Sequence, residues 1–284
     1  AADGATVKGI RIGGDLILAP GVTKDVTLVD CVIQGNIRNY GTGEVRFEAP
    51  QITPESTATK PSDVYKPGTT LDRTLEYGGK SVPIYRDRPL NVFSDVDFIW
   101  TDEENENRRR LEYLGGEFRT RYGIDVSSFQ GEIDWDAVAD DNIDFAMVRV
   151  GFRGTGTGSL NTDKYYEQNI RGAMRAGLET GVYFFAQAVT VEEAIEEADY
   201  VISLLDGLDI NGPVAYDWEM HDSTYRVYGT SPEMATACAV AFCERIKDAG
   251  YTPMVYGGTY VTYMKYDQGA LADYLSWYPE YKSE

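Results

Sequence analysis

The chain has 284 residues, 43% hydrophobic and 25% charged, a globular composition long enough for one large domain or two ordinary ones and unlike that of a disordered chain. A net charge of −20 sets it against nucleic acid and anionic lipid surfaces but leaves a neutral polymer such as a polysaccharide compatible. No window approaches the roughly 18 consecutive apolar residues of a membrane span, so neither nucleic acid nor membrane is expected as a partner.

Residues 1–53 show no helical period. Their short β-type runs, Val7–Ile12, Asp15–Leu18, Asp25–Gln34 and Glu44–Phe47, are punctuated by Gly13-Gly14 and by Asn39-Tyr-Gly-Thr-Gly43. The runs look like stacked rungs with β-branched residues inward, which predicts a small β-rich region of short β-helix type; a β-sandwich fragment is the alternative. A first rung starting at residue 1 fits a piece of something longer. The opening Ala-Ala-Asp carries no basic and apolar leader, so any secretion signal is expected to have been removed or to lie outside this sequence.

Residues 54–120 read as a linker or strap. The first part is turn-rich and polar (Pro54-Glu-Ser-Thr-Ala-Thr-Lys-Pro61, Lys66-Pro-Gly-Thr-Thr70). The second mixes extended stretches with the solvated run Asp102–Arg110, and is expected to lie against the domain that follows.

From residue 121 onward the pattern becomes regular. Candidate strands are Gly123–Ser127, Phe145–Gly151, Thr180–Gln187, Pro213–Glu219, Thr252–Gly257 and Leu275–Tyr281. Helices between them carry their own punctuation: Thr190 with Glu193 as a capping box, Ser231-Pro232-Glu233 as an N-terminus, and Gly177 and Gly250 as terminating glycines. Strand and helix in alternation mean parallel strands with right-handed crossovers. The first strand is followed by no GxGxxG turn, and Gly151–Gly158 lacks the lysine and Ser/Thr of a P-loop, so an α/β barrel is preferred over a nucleotide-binding sheet.

Acidic residues cluster at strand ends, where such barrels build their sites. Asp125 lies in the first strand, and Asp217 and Glu219 end the fourth. Residues i and i+2 of a strand share a face, so both carboxyl groups look the same way. Burying two like charges together keeps one of them protonated, and glycosidic cleavage needs such a pair. On the D-x-E alone, a solvated strand end without chemistry stays open. Tyr183, Phe184, Phe185, Trp218, Tyr256, Trp277 and Tyr281 supply aromatic surface for sugar rings, some of it necessarily core. Cys31, Cys238 and Cys243 have no metal-ligand or redox spacing, and His221 is the only histidine. Buried free thiols, no metal and no cofactor are expected.

Gly123-Ile-Asp-Val-Ser-Ser-Phe-Gln-Gly131, Ile133-Asp-Trp135, Phe145-Ala-Met-Val-Arg-Val-Gly151, Gly181-Val-Tyr-Phe-Phe185 and Pro213-Val-Ala-Tyr-Asp-Trp-Glu219 together resemble glycoside hydrolase family 25, the N-acetylmuramidase lysozymes. The resemblance runs from Tyr122 to Tyr281 and implies an α/β fold, a modified TIM-like β/α barrel with fewer than eight helices. It implies hydrolysis of the β-1,4 bond between N-acetylmuramic acid and N-acetylglucosamine in peptidoglycan, by a secreted or bacterial cell-surface protein. It implies Glu219 as general acid/base, Asp217 supporting the substrate acetamido group, and Asp125 in the same cleft. Arg149, Tyr183, Gln187, Tyr256, Tyr281 and Trp277 would face substrate. The family's last two strands have no counterpart here, so an unclosed barrel with open edges is expected. A non-catalytic glycan-binding surface protein is the alternative function. A chitinase-like site would need an aspartate where Ala215 stands.

Overall fold

The computed structural model describes residues 121–279 throughout. Within 1–120 it describes 4–8, 11–12, 16–18, 23–29, 32–33, 37–39, 42, 44–48, 59–66, 71–77, 79–85, 97–101, 110–116 and 118–120. The chain divides into two compact units, Ala1–Thr57 and Ala58–Glu284. The division falls inside the segment expected as a linker.

In the first unit the strands are β1 Thr6–Lys8, β2 Arg11–Ile12, β3 Leu16–Leu18, β4 Val26–Val29, β5 Val32–Ile33, β6 Ile37–Asn39 and β7 Val45–Glu48. Every pairing among them is parallel: β1 with β4 and β4 with β7, β2 with β5, β3 with β6. Thr6 lies beside Thr27, Arg11 beside Val32 and Leu16 beside Ile37, so each partner is 21 residues further on. The fourth ladder, β4 with β7, sets Val26 beside Val45, 19 residues on. Parallel ladders at so nearly constant an offset are the signature of a β-helix, in which each coil stacks on the one before. Val26 and Leu28, alternate residues of β4, are buried in its interior. Cys31 and the Gly13-Gly14 turn lie outside the described residues.

The second unit begins with the short helix α1, Pro61–Val64, just after Thr59, whose N–H donates to the Glu192 carboxylate at 2.8 Å. Two antiparallel hairpins follow, β8 Leu71–Tyr77 with β9 Lys80–Tyr85, and β10 Phe98–Thr101 with β11 Arg110–Tyr113. Arg110 at the start of β11 pairs with the Asp141 carboxylate at 2.9 Å and lies over the Tyr122 ring. The rest of the run Asp102–Arg110 lies outside the described residues.

The regular part then runs β12 Gly123–Val126, α2 Trp135–Asp140, β13 Phe145–Arg153, β14 Leu160–Thr162, α3 Tyr166–Arg175, β15 Glu179–Ala186 and α4 Val191–Leu204. It continues with β16 Val214–Trp218, α5 Pro232–Asp248, β17 Pro253–Tyr256, α6 Thr259–Met264, α7 Gln268–Leu271 and β18 Leu275–Trp277. All six expected strands are present to within a few residues at their ends. They form one parallel sheet in the order β12-β13-β15-β16-β17-β18, with β14 added antiparallel to β13. The sheet curls, yet β12 and β18 do not pair. The unclosed barrel expected from the sequence is present as a half-barrel, its six parallel strands short of the eight that close this architecture.

The helices cover the convex face. Val148 and Val150 of β13, Val182 and Phe184 of β15, and Val214, Tyr216 and Trp218 of β16 are fully buried there. The helix ends follow their sequence signals. Thr190 caps α4 by accepting from the Glu193 N–H, although the Glu193 carboxylate returns to the Val189 N–H rather than to Thr190 itself. Ser231 caps α5, and Gly177 and Gly250 take the positive φ that ends α3 and α5. Cys238 and Cys243 are buried free thiols on α5. No described helix is long and apolar enough to cross a membrane.

One polar tie crosses this core. Arg153, at the end of β13, meets Glu197 of α4 at 2.7 Å, with Arg153 4% exposed and Glu197 fully buried. Burial pushes the Glu197 carboxyl up to about 7, against the pull of the guanidinium and of the Gln187 N–H. Glu196 meets the same guanidinium from the solvent side at 2.8 Å, so removing Glu197 forfeits the buried half of the tie and leaves Arg153 only its exposed partner. Glu197→Ala is expected to lower unfolding free energy by about 3 kcal/mol in urea melts, and Glu197→Gln by clearly less, since its amide oxygen still accepts from Arg153.

Candidate active site

The concave face is built in rows set by the parallel register. Phe185, Asp217, Tyr256 and Trp277 are register partners across four strands, and Arg149, Tyr183 and Ala215 form a row one step below. On β16 the outward residues Tyr216 and Trp218 fix the strand against the helices, and the Trp218 indole N–H is satisfied by the Ala188 carbonyl at 3.0 Å. Asp217 must then face the concave side, and the next residue on that side is Glu219. Together Asp125, Ser127, Phe129, Gln130, Arg149, Tyr183, Phe185, Asp217, Glu219, Tyr256, Trp277 and Pro279 enclose a cleft of about 470 Å³ at the C-terminal ends of the strands.

Asp217 is 7% exposed, and its Oδ1 meets no donor among the described residues. Its carboxyl is held well above the usual range, first by burial, then by the neighbouring Glu219 and Asp125; Arg149 pulls weakly the other way. Glu219 keeps 24% of its side chain exposed, and its Oε2 lies 3.0 Å from Nε2 of His221. One carboxyl of the pair is therefore buried and proton-retaining, while the other reaches open cleft. Burial likewise pushes the Tyr183 hydroxyl up.

Arg149 is fixed rather than free. Its Nε and Nη2 both reach Asp163 Oδ2, at 2.9 and 2.8 Å, and Nη2 donates to Ser128 Oγ at 3.2 Å. Burial would raise the Asp163 carboxyl, but N–H donors of Ser128 and Tyr165, with Arg149, hold it below its ordinary value. The cation thus stays in place beneath the cleft, flanked by the rings of Phe129 and Phe152 at 5.0 and 5.4 Å. Trp277 stands edge-on to both Tyr183 and Tyr256, at 6.0 and 5.1 Å between ring centres.

Of the residues expected from sequence, the cleft gathers Asp125, Arg149, Tyr183, Asp217, Glu219, Tyr256 and Trp277. Gln187 departs from the expectation. It is fully buried behind the cleft, where its amide donates to the Glu219 carbonyl at 2.7 Å and so supports the end of the carboxylate strand. The strand ends at Ala186, so alternation no longer aims the next side chain at the cleft. Tyr281 lies outside the described residues. Sequence reasoning missed Asp163, His221 and the turn Ser127–Gln130. The signal for His221 was its position two residues beyond Glu219; Asp163 is 14 residues from its arginine and gave none.

A second cavity, of about 500 Å³, lies further down the same concave face between the two edge strands. Its wall is mainly apolar (Phe145, Met147, Pro213, Met254, Leu275), so the carboxylate pair belongs to the cleft above it. Among the described residues no cluster of three or more His, Cys, Asp or Glu is placed to hold a metal.

A parallel β/α half-barrel with its acidic cleft at the strand C-termini places this chain among the relatives of the barrel enzymes. Residues 124–284 match the model of glycosyl hydrolases family 25, more than half of the chain, and the chain belongs to that family. It is 26% identical over 160 residues to the autolytic lysozyme of Clostridium acetobutylicum, covering 56% of this chain and 44% of that protein. It is 30% identical over 112 residues to lysozyme M1 of Streptomyces globisporus, covering 38% and 36%. The chain thus spans less than half the length of these curated relatives. Among solved structures, the modular autolysin LytC from Streptococcus pneumoniae aligns at 22% identity over 68% of this chain and 46% of that one, with a TM-score of 0.48.

The raised Asp217 value has a stability consequence with a definite sign. The folded chain holds that proton more tightly than the unfolded one, so the benefit is complete below the ordinary aspartate range and is lost as pH rises through the raised value. Asp217→Asn removes the liability. Its Tm is expected to match the parent near pH 4 and to exceed it by about 2–6 °C near pH 8, as read by calorimetry across pH.

Proposed function

We propose that this chain hydrolyses peptidoglycan, cleaving the β-1,4 bond between N-acetylmuramic acid and N-acetylglucosamine. Family membership and the lysozymes among its relatives support the reading. The observation that carries it is the pairing of a buried, proton-retaining Asp217 with a cleft-facing Glu219 two residues on.

In this reading the crowded pair retains one proton. As Asp217 ionises against the bound substrate, that proton passes to Glu219, which delivers it to the leaving glycosidic oxygen and then, as a carboxylate, activates the water that completes hydrolysis. The substrate's own acetamido group attacks the anomeric carbon, and the resulting ring carries positive charge. Asp217 supports that group. In the free site its ionisation is opposed by Glu219 and Asp125; beside a developing cation the same crowding turns into attraction. The stabilisation is then larger at the transition state than in the ground state, which is what accelerates a reaction. Asp125 adds to that field. Arg149, held by Asp163, and the rings of Tyr183, Tyr256 and Trp277 grip the sugar. The action is on cell walls, outside the cell or at its surface.

Turbidity loss with purified peptidoglycan provides the test. Glu219→Gln is expected to clear it about 10²- to 10⁴-fold more slowly than the wild type, and Asp217→Asn about 10²-fold or more. Equal clearing by wild type and Glu219→Gln would remove Glu219 from the mechanism. Retention of the wild type on insoluble peptidoglycan with no release of reducing ends would leave a glycan-binding protein instead.

A further inference from the structure

Phe129 stands out from the other cleft aromatics because the residue is 85% exposed. Tyr183, Tyr256 and Trp277 are buried or half-buried and brace one another. An apolar ring left in water forgoes the free energy that burial would bring. A loose loop would fold such a ring away, but this turn cannot. Ser127 Oγ accepts from the Phe129 N–H at 3.2 Å, Gln130 Oε1 accepts from the Ser127 N–H at 2.8 Å, and the buried Asp163 carboxylate accepts from the Ser128 N–H at 2.9 Å. Gly131 closes the turn at φ +70°. The Arg149 guanidinium packs against the ring, 5.0 Å from its centre, and is itself fixed by Asp163. The ring is thus held by the same clamp that anchors the cleft's cation, at the wall of the cleft containing Asp217 and Glu219.

We propose that Phe129 is a stacking platform for a pyranose ring of the glycan, forming a subsite on the β12 side of the cleft, with Trp277 on the β18 side. The apolar C–H face of a hexosamine matches an exposed, immobile aromatic face, and its hydroxyls and N-acetyl group are left to the polar residues around it. The proposal rests on the muramidase reading, since it takes the glycan to be the ligand of this cleft.

The test uses the full chain carrying Glu219→Gln, titrated calorimetrically with a soluble tetrasaccharide of alternating N-acetylglucosamine and N-acetylmuramic acid. Adding Phe129→Ala is expected to weaken binding about tenfold. Phe129→Trp is expected to bind at least as well as the parent, with a change in emission on saturation larger than that of the parent, whose own Trp277 also lines the cleft. Unfolding temperatures of all three are expected to agree, because an exposed ring contributes little to the fold. Equal binding with and without the Phe129→Ala substitution, or an emission change in Phe129→Trp no larger than the parent's, would overturn the platform. If the wild type still releases reducing ends from peptidoglycan, only the platform falls. If the wild type releases none and the Glu219→Gln chain binds no tetrasaccharide, the muramidase reading falls and the platform with it.

Discussion

The burial of Asp217 beside Glu219 and Asp125 is the constraint around which the second unit is arranged. A carboxyl group that is taken from water and crowded by two others keeps its proton far above the usual range. Such a site is costly and persists only where the surrounding structure over-determines it. Here β16 is pinned on its convex side by Tyr216 and Trp218, with the Trp218 indole hydrogen-bonded to Ala188. The strand end is held from behind by the Gln187 amide on the Glu219 carbonyl. This bracing leaves Asp217 no route to solvent other than the cleft.

The counter-charge is arranged with equal care. Arg149 is the cation that tempers Asp217, but its shortest contacts are to Asp163, which accepts from it, from Ser128 and from Tyr165. The guanidinium is thereby fixed without being spent on the reactive pair. A direct Arg149–Asp217 ion pair would ionise Asp217 in the free protein and remove the field that a cationic intermediate could draw on. Behind this layer, Glu197 takes up Arg153 and the Gln187 N–H in a separate buried pair, so the core's polar groups serve to position the strand ends.

What could be read in the sequence followed from locality. The six strands were legible because each is a short β-branched or aromatic run bounded by turn residues, and the helix ends because Thr190, Ser231, Gly177 and Gly250 carry their signals within a few residues. The i, i+2 geometry of Asp217 and Glu219 was legible for the same reason. The open barrel was legible only by comparison with the family pattern, whose last two strands have no counterpart here; no local pattern carries whether β12 and β18 meet, and they do not. The clamp on Arg149 was hidden because Asp163 reaches it through the β14 excursion, and Gln187 was misplaced because alternation fails one residue past the strand end. In the first unit the rungs were visible as β-type runs with turns at similar places. The offsets that turn them into parallel ladders, 21 residues in three and 19 in the fourth, needed the pairings themselves.

The state of Asp217 in the free protein is the most direct point of contact between this account and experiment. Carbon-13 labelling of the aspartate carboxyl groups, with their resonances followed as pH is raised, would report it. The account predicts one aspartate carboxyl that still holds its proton well above the ordinary value of about 4 and whose resonance disappears in Asp217→Asn. A spectrum in which every aspartate has ionised by about pH 5, one unit above that ordinary value, Asp217 included, would contradict it.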